Sequence, residues 1–256
     1  MHPVLLSVGF IKIYSYGLFL SIAFLISLFY LKRKAIDEGI KIKDLIDLSL
    51  SGLIAGIIGA RLLYVLDNYQ YYLNKPLEII LLNKGGLIFY GGLLLGTLAS
   101  VIFIKKKRLP LGKITDLLAP CLALGESITR IGCFMAGCCY GKPTSLPWGV
   151  RFPVDSLACS HYGHKVLHPT QLYSFLALLV VFIFLNWKLK HKLFEGEVFI
   201  WYFISYSTVR FILEFFRGDN LAFIFSLTMA QSLGILLFIC SLFFWLMLKN
   251  RSKTLI

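Results

Sequence analysis

Of the 256 residues, 58% are hydrophobic and 15% charged, with a mean hydropathy of +0.78. Soluble domains sit nearer half apolar and a quarter charged, so this composition excludes an ordinary soluble domain and points to lipid as the main solvent. The formal net charge of +13 is not the footprint of a nucleic-acid binder, because the cations fall in short clusters between apolar runs, a pattern suited to lipid headgroups and topology control.

A span needs about 20 mostly apolar residues. Candidates lie at 13–31, 48–66, 85–104, 114–131, 170–187, 196–213 and 227–248. The first has Lys12 as its only preceding cation and no small-residue cleavage site after it, so no cleavable signal peptide is expected. The fourth is the weakest, carrying Asp116, Pro120, Glu126 and Arg130. With seven spans, 16 Lys and Arg fall on one side: at 32–43, 105–113, 188–192 and 249–253. Nine fall on the other (Lys12, Lys75, Lys84, Arg130, Lys142, Arg151, Lys165, Arg210 and Arg217), and Arg61 lies within span two. The richer side is expected to be cytoplasmic, which puts the N-terminus out and the C-terminus in. Omitting the fourth span would break this alternation. The expectation is an all-α integral membrane protein, 1–256 being one membrane domain with seven transmembrane helices. Residues 133–168 form a small extracytoplasmic head insertion between spans four and five. No internal repeat or low-complexity tract interrupts it.

The chemistry concentrates near that insertion. Arg130 follows Glu126 by four residues, on one helix face. Arg210, Glu214 and Arg217 repeat the pattern near the end of span six. One reading is structural ion pairing; the other is a phosphate clamp, since guanidinium presents paired donors and intramembrane charges tend to be functional. Gly85, Gly86, Gly91 and Gly92 around the start of span three serve either close helix packing or an anion at a helix N-terminus. Among the cysteines, Cys121 and Cys240 fall inside spans as apolar fillers. Cys133, Cys138, Cys139 and Cys159 leave three readings open. These are a disulfide from Cys159 to Cys138 or Cys139, a reactive thiol beside Arg130, and a zinc site with His161 and His164. His168, before Pro169 and Thr170 at the mouth of span five, is a base or phosphate donor, with Thr170 as helix cap.

These segments together resemble the prolipoprotein diacylglyceryl transferase family over nearly the whole chain. The resemblance rests on Tyr16-Gly17, Gly59-Ala60-Arg61, Gly91-Gly92-Leu93, and Arg130-Ile131-Gly132 with Phe134, Gly137 and Gly141. Pro147-Trp148-Gly149-Val150, His168-Pro169-Thr170-Gln171-Leu172-Tyr173 and Tyr206-Ser207-Thr208-Val209-Arg210-Phe211 follow in order, with Glu214, Arg217 and Asp219. The family's signature asparagines are replaced by Cys133 and Ala136, its glutamate by Cys138, and its histidine before Gly-Gly by Tyr90.

The resemblance implies a multi-pass enzyme of a bacterial plasma (inner) membrane. Such an enzyme moves diacylglyceryl from phosphatidylglycerol to the lipobox cysteine of a prelipoprotein, with no cofactor, metal or nucleic acid. Arg130, Arg210 and Arg217 are then expected to hold the lipid phosphate. Tyr16, Tyr90, His168 and Tyr206 are expected to position groups or move protons, and Cys133, Cys138 and Cys139 to carry the altered chemistry. Arg61, Gly91, Gly92, Gly132, Gly137, Gly141 and Glu214 complete the expected substrate contacts. The alternatives are a thiol-disulfide oxidoreductase or thiol-relay transferase on this scaffold, and a non-catalytic lipid-binding protein or pore. The last gives no reason for paired cysteines beside an arginine.

Overall fold

The computed structural model describes residues 1–8, 11–81, 85–154, 156–220, 222–224 and 227–253. Lys84, counted above among the cations, and Asp155 of the expected insertion lie outside the described residues. The chain is mostly helical. A two-stranded antiparallel hairpin, β1 (Val4–Val8) with β2 (Ile11–Tyr14), leads into α1 (Ser15–Asp37). Then come α2 (Ile42–Asp67), α3 (Tyr69–Asn74), a 3₁₀ turn at Pro76–Ile79, α4 (Phe89–Lys106) and α5 (Leu111–Ala136). The short α6 (Leu157–Tyr162) precedes α7 (Thr170–Lys190) and α8 (Glu197–Glu214). A second small hairpin, β3 (Ala222–Ile224) with β4 (Leu227–Thr228), ends at α9 (Met229–Lys253). The two hairpins depart from the all-α expectation.

Six helices, α1, α2, α4, α5, α7 and α9, are long and apolar enough to cross a membrane. Their outward faces carry bare apolar side chains, among them Leu25, Ile54, Leu94, Leu236 and Phe243, all more than half exposed. Such faces are tolerable only in an apolar solvent. The expected weak span was the fourth, yet α5 is among the six. The helix outside that set is α8, whose 18 residues include Glu197, Arg210 and Glu214.

Two buried carboxylates of α5 and α8 are satisfied from within. Asp116, fully buried on α5, accepts the backbone N–H groups of Gly196 (2.9 Å), Val198 (2.9 Å) and Phe199 (3.2 Å), and so caps the first turn of α8. Glu197, also fully buried, pairs with Lys188 at 2.8 Å and accepts the indole N–H groups of Trp201 and Trp245. Each carboxylate that weakened the hydropathy signal therefore joins two helices.

The chain divides into two compact units: residues 1–31 with 112–256, and residues 32–111. In the second, α2 packs on α4 through glycines. A Cβ on Gly59 would strike Gly91 O and Leu95, and one on Gly91 would strike Gly59 O and Leu63. One on Gly92 would come within 3.0 Å of Gly56 O, and one on Gly96 within 3.1 Å of Gly52 O. This is small-residue packing of the kind that brings membrane helices close. Gly91 and Gly92, expected among the substrate contacts, lie in this helix-crossing surface. In the first unit, helix α5 runs on through residues 133–136, which the sequence assigned to the segment after the fourth span. The segment that follows has its own apolar cluster of Tyr140, Phe152, Ala158 and Leu167, with Phe134 and Tyr162 against it.

Candidate functional site

Two helices of the first unit, α5 and α8, present charges to one pocket. Its polar lining is Glu126, Arg130, Ser174, Tyr206 and Arg210, and its apolar lining is Leu178, Val209 and Leu213. The i, i+4 spacing on each helix does what it predicts. Arg130 Nη2 bonds Glu126 Oε1, and Arg210 Nη1 lies 3.1 Å from Glu214 Oε2. Tyr206 Oη donates to Glu126 Oε1 at 3.4 Å, joining the two helices. Arg130 Nε is buried and has no partner among the described residues. An unpaired guanidinium N–H in an apolar wall is costly, and an incoming anion relieves that cost.

Glu214 is the hub below this pocket. It accepts from Asn220 and from Thr228 Oγ1 (2.7 Å) and lies 3.9 Å from Arg217 Nε. Arg217 also grips Asp219 with two parallel bonds, Nε to Oδ1 at 2.9 Å and Nη2 to Oδ2 at 2.7 Å. Asn220 and Thr228 were not singled out in the sequence; each is a lone polar residue in a loop or hairpin, and no pattern marked it.

Beyond Arg130, α5 ends in a Schellman turn. Gly137 N–H donates to Phe134 O at 3.3 Å, Cys138 N–H to Cys133 O at 3.2 Å, and Gly137 takes the left-handed φ of +72°. A Cβ on Gly137 would stand 2.7 Å from Ser156 Cβ. Two side chains from the start of α7 hold the next peptides: Gln171 Nε2 donates to Cys138 O and Thr170 Oγ1 to Cys139 O, both at 2.7 Å. Thr170 is therefore not the cap of α7, whose N-cap position is Pro169 without a side-chain bond. Thr170 and Gln171 stood in the quoted motif, but only their burial with these bonds identifies their role.

The result is a cluster in which the sulfurs of Cys133, Cys138 and Cys139 all lie within 4.8 Å of one another. The Cys138 thiol donates to Cys133 O at 3.7 Å, and the adjacent Cys133 and Cys138 thiols, with the positive field of Arg217 and Arg130, shift the Cys139 thiol below the ordinary range. The Cys138 thiol is pushed up by bonding to those same neighbours and by burial. All six cysteines are free. Cys159 instead donates its backbone N–H to the Ser156 cap, and His161 Nδ1 pairs with Tyr140 Oη at 3.1 Å. The disulfide to Cys159 and the zinc set with His161 and His164 are thus replaced by a cluster built on Cys133.

The loop is pinned where the motifs meet. Gly141 N–H donates to His168 O (3.1 Å), Lys142 N–H to Phe216 O (2.8 Å) and Gly218 N–H to Tyr140 O (3.1 Å). A Cβ on Gly141 would collide with His168. His168 Nδ1 shares a bond with Tyr173 Oη at 3.2 Å, which also accepts from Trp148 Nε1 at 2.7 Å. Burial lowers the His168 pKa, favouring neutral imidazole at neutral pH. Gly132 is a packing residue, since a Cβ there would lie 2.9 Å from Phe19 Cβ and 3.3 Å from Tyr16 Cα.

The remaining expected site residues sit in the other unit. Arg61 is 7% exposed, and all five of its N–H groups go to backbone carbonyls: Glu78 and Gly85 (2.7 Å), Ile79 (2.8 Å), Gly86 (3.0 Å) and Leu81 (3.1 Å). Tyr64 and Tyr72 flank its guanidinium at 5.6 and 5.4 Å. With all five donors used, Arg61 ties α2 to the backbone of Glu78, Ile79, Leu81, Gly85 and Gly86. Tyr90 lies in the first turn of α4 and is more than half exposed.

The fold and site define a helical protein with six membrane-capable helices and a buried arginine-carboxylate pocket beside a thiol loop. The chain belongs to the prolipoprotein diacylglyceryl transferase family, a family of transferases, whose model matches residues 3–247. It is 35% identical over 243 residues to a Clostridium tetani protein, covering 95% of this chain and 96% of the relative. A Nostoc sp. protein is 36% identical over 229 residues (86% and 80% covered). Both are named phosphatidylglycerol–prolipoprotein diacylglyceryl transferase. A Clostridium perfringens protein bearing that name with the number 2 is 30% identical over 256 residues, 99% of each chain.

Proposed function

We propose that this chain transfers the diacylglyceryl group of phosphatidylglycerol to the cysteine thiol of a prolipoprotein. The observation that carries the reading is the meeting of Arg130 and Arg210 from two helices at one pocket, with Arg130 Nε left unpartnered. The acceptor sulfur, as thiolate, attacks the glycerol carbon bonded to the phosphate oxygen. The C–O bond breaks, a C–S bond forms, and the electron pair leaves on glycerol phosphate. The thiol proton passes to a base. The phosphate gains charge as it departs, and guanidinium groups in a water-poor pocket stabilise that charge far better than they would in water. Glu126, tied to Arg130 and Tyr206, is a positioning residue that holds the guanidinium at the pocket wall. Tyr16, His168 and Tyr206 act as positioning or proton-transfer groups through phenol or imidazole. Arg217 and Glu214 support Arg210.

The topology belongs to the same proposal. Seven spans, α8 included, place both arginines toward the outer leaflet of a bacterial plasma membrane, with the N-terminus out and the C-terminus in. The segment after α5 forms an extracytoplasmic head. The excess of Lys and Arg on the opposite side supports this orientation, and reporter fusions after α4 and α9 should both read cytoplasmic. A thiol-disulfide oxidoreductase remains the second reading, favoured by the three-thiol cluster alone. One experiment separates them. The chain is expressed in cells depleted of their own transferase, and lipidation of a reporter prolipoprotein is followed. Rescue that disappears with Arg130→Ala and Arg210→Ala supports the transferase. No rescue, together with a thiol-oxidation phenotype abolished by Cys138→Ser, overturns it in favour of the second reading.

A further inference from the structure

We propose that Cys133, Cys138 and Cys139 form a binding site for one thiophilic d¹⁰ cation, zinc(II) or copper(I), held through three sulfurs. The inference goes beyond the transferase reading and does not depend on it. The three Sγ atoms come from two adjoining elements, the last turn of α5 and the loop after it, and all lie within 4.8 Å of one another. A zinc–sulfur bond is about 2.3 Å, so three sulfurs around one ion stand about 3.8–4.0 Å apart. The cluster needs to contract by no more than about 1 Å to reach that arrangement. A disulfide between two of them would require closure to about 2.05 Å with a restricted dihedral.

The site is built in advance. The Schellman turn brings Cys138 back over Cys133, and Gly137 supplies the left-handed residue that the turn needs. Cys139 itself holds a φ of +59°, a conformation that a non-glycine residue keeps only when its surroundings impose it. Those surroundings are visible: Thr170 and Gln171 grip the carbonyls of Cys139 and Cys138, turning the thiols toward Cys133. Cys133 is 5% exposed and the other two are half-buried, so the three sulfurs are largely shielded from water. Three soft sulfur donors select copper(I) or zinc over oxygen-loving cations, and three protein ligands leave a further position open.

The test uses the full chain, purified in detergent under reducing conditions and loaded separately with zinc(II) and with copper(I). After desalting, metal per chain is measured, and the cysteines shielded from alkylation are mapped by mass spectrometry. One equivalent of at least one of the two ions should be retained, and that ion should shield Cys133, Cys138 and Cys139. Cys133→Ser, Cys138→Ser and Cys139→Ser should each weaken retention at least ~10-fold, because the loss of an outer-shell partner alone has an effect of that size. Cys159→Ser should leave retention unchanged. The alkylation map is read on the unaltered chain, so it stands even if a variant misfolds. Failure to retain either ion, retention indifferent to the three substitutions, or alkylation unchanged by metal would each overturn the site.

Discussion

Arg61 and Arg130 both lie in membrane-capable helices, the first buried and the second half-buried, and the fate of their donors separates them most sharply. Arg61 has five N–H groups and five carbonyl acceptors, with two tyrosines flanking the guanidinium. Arg130 has one carboxylate partner and a buried Nε with none, and it lines a pocket shared with Arg210. A guanidinium whose donors are all used holds the chain; one with a donor to spare can hold a ligand. Charge and burial alone do not separate these two roles. Donor accounting does.

The comparison sharpens most under substitution of the pocket arginines. Arg130→Ala and Arg210→Ala should each lower transfer by roughly 10²–10³-fold, the scale of losing one preorganised donor to a developing anion. The protein should remain in the membrane at normal abundance. Arg61→Ala should do the reverse. It orphans several buried carbonyls, so it should destabilise the chain by at least about 3 kcal/mol, read as a lower unfolding temperature in detergent and reduced abundance. Arg61→Lys should recover little of this, because an ammonium cannot reproduce a five-donor fork. Equal loss of activity and abundance in both arginine variants would erase the distinction.

Smaller effects test the scaffolds around each arginine. Gly91→Val should overpack the α2–α4 crossing and lower stability by about 1–3 kcal/mol, visible in the same melt. Thr170→Val removes the bond to Cys139 O and should lower stability by about 1 kcal/mol while loosening the thiol loop, measured as faster alkylation of Cys138. The Cys139 thiol offers a pH test. Its pKa is depressed in the folded chain, so the thiolate should persist as pH falls, and the associated stability should be present above the ordinary thiol range and lost only as pH drops through the depressed value. Iodoacetamide modification of Cys139 should then slow less from pH 8 to pH 6 than that of an ordinary thiol. An ordinary thiol slows roughly 100-fold over that interval.

Much of this was legible beforehand where the signal is local. Six of the seven apolar runs fall on helices long and apolar enough to cross a membrane and the seventh on α8, because backbone groups in lipid must be satisfied inside their own segment. The i, i+4 pairs Glu126–Arg130 and Arg210–Glu214 formed because helix geometry makes those neighbours inevitable. What stayed open was non-local. The sequence allowed Gly91 and Gly92 either helix packing or an anion turn, and α2 against them supplies the packing; Cys159, one candidate thiol partner, lies in the first turn of α6 with its N–H on the Ser156 cap.

The order of charges and apolar stretches was enough to say that this chain lives with lipid, and its motifs were enough to assign the family. Both follow from properties that each short segment carries by itself. Which arginine keeps a free donor, and which three of six sulfurs converge, depended on partners far away in sequence: Gly85 and Gly86 for Arg61, Tyr206 for Glu126, Thr170 and Gln171 for the cysteine loop. Hydrogen-bond supply and demand is settled only when distant segments pack, and no spacing rule along the chain contains that information.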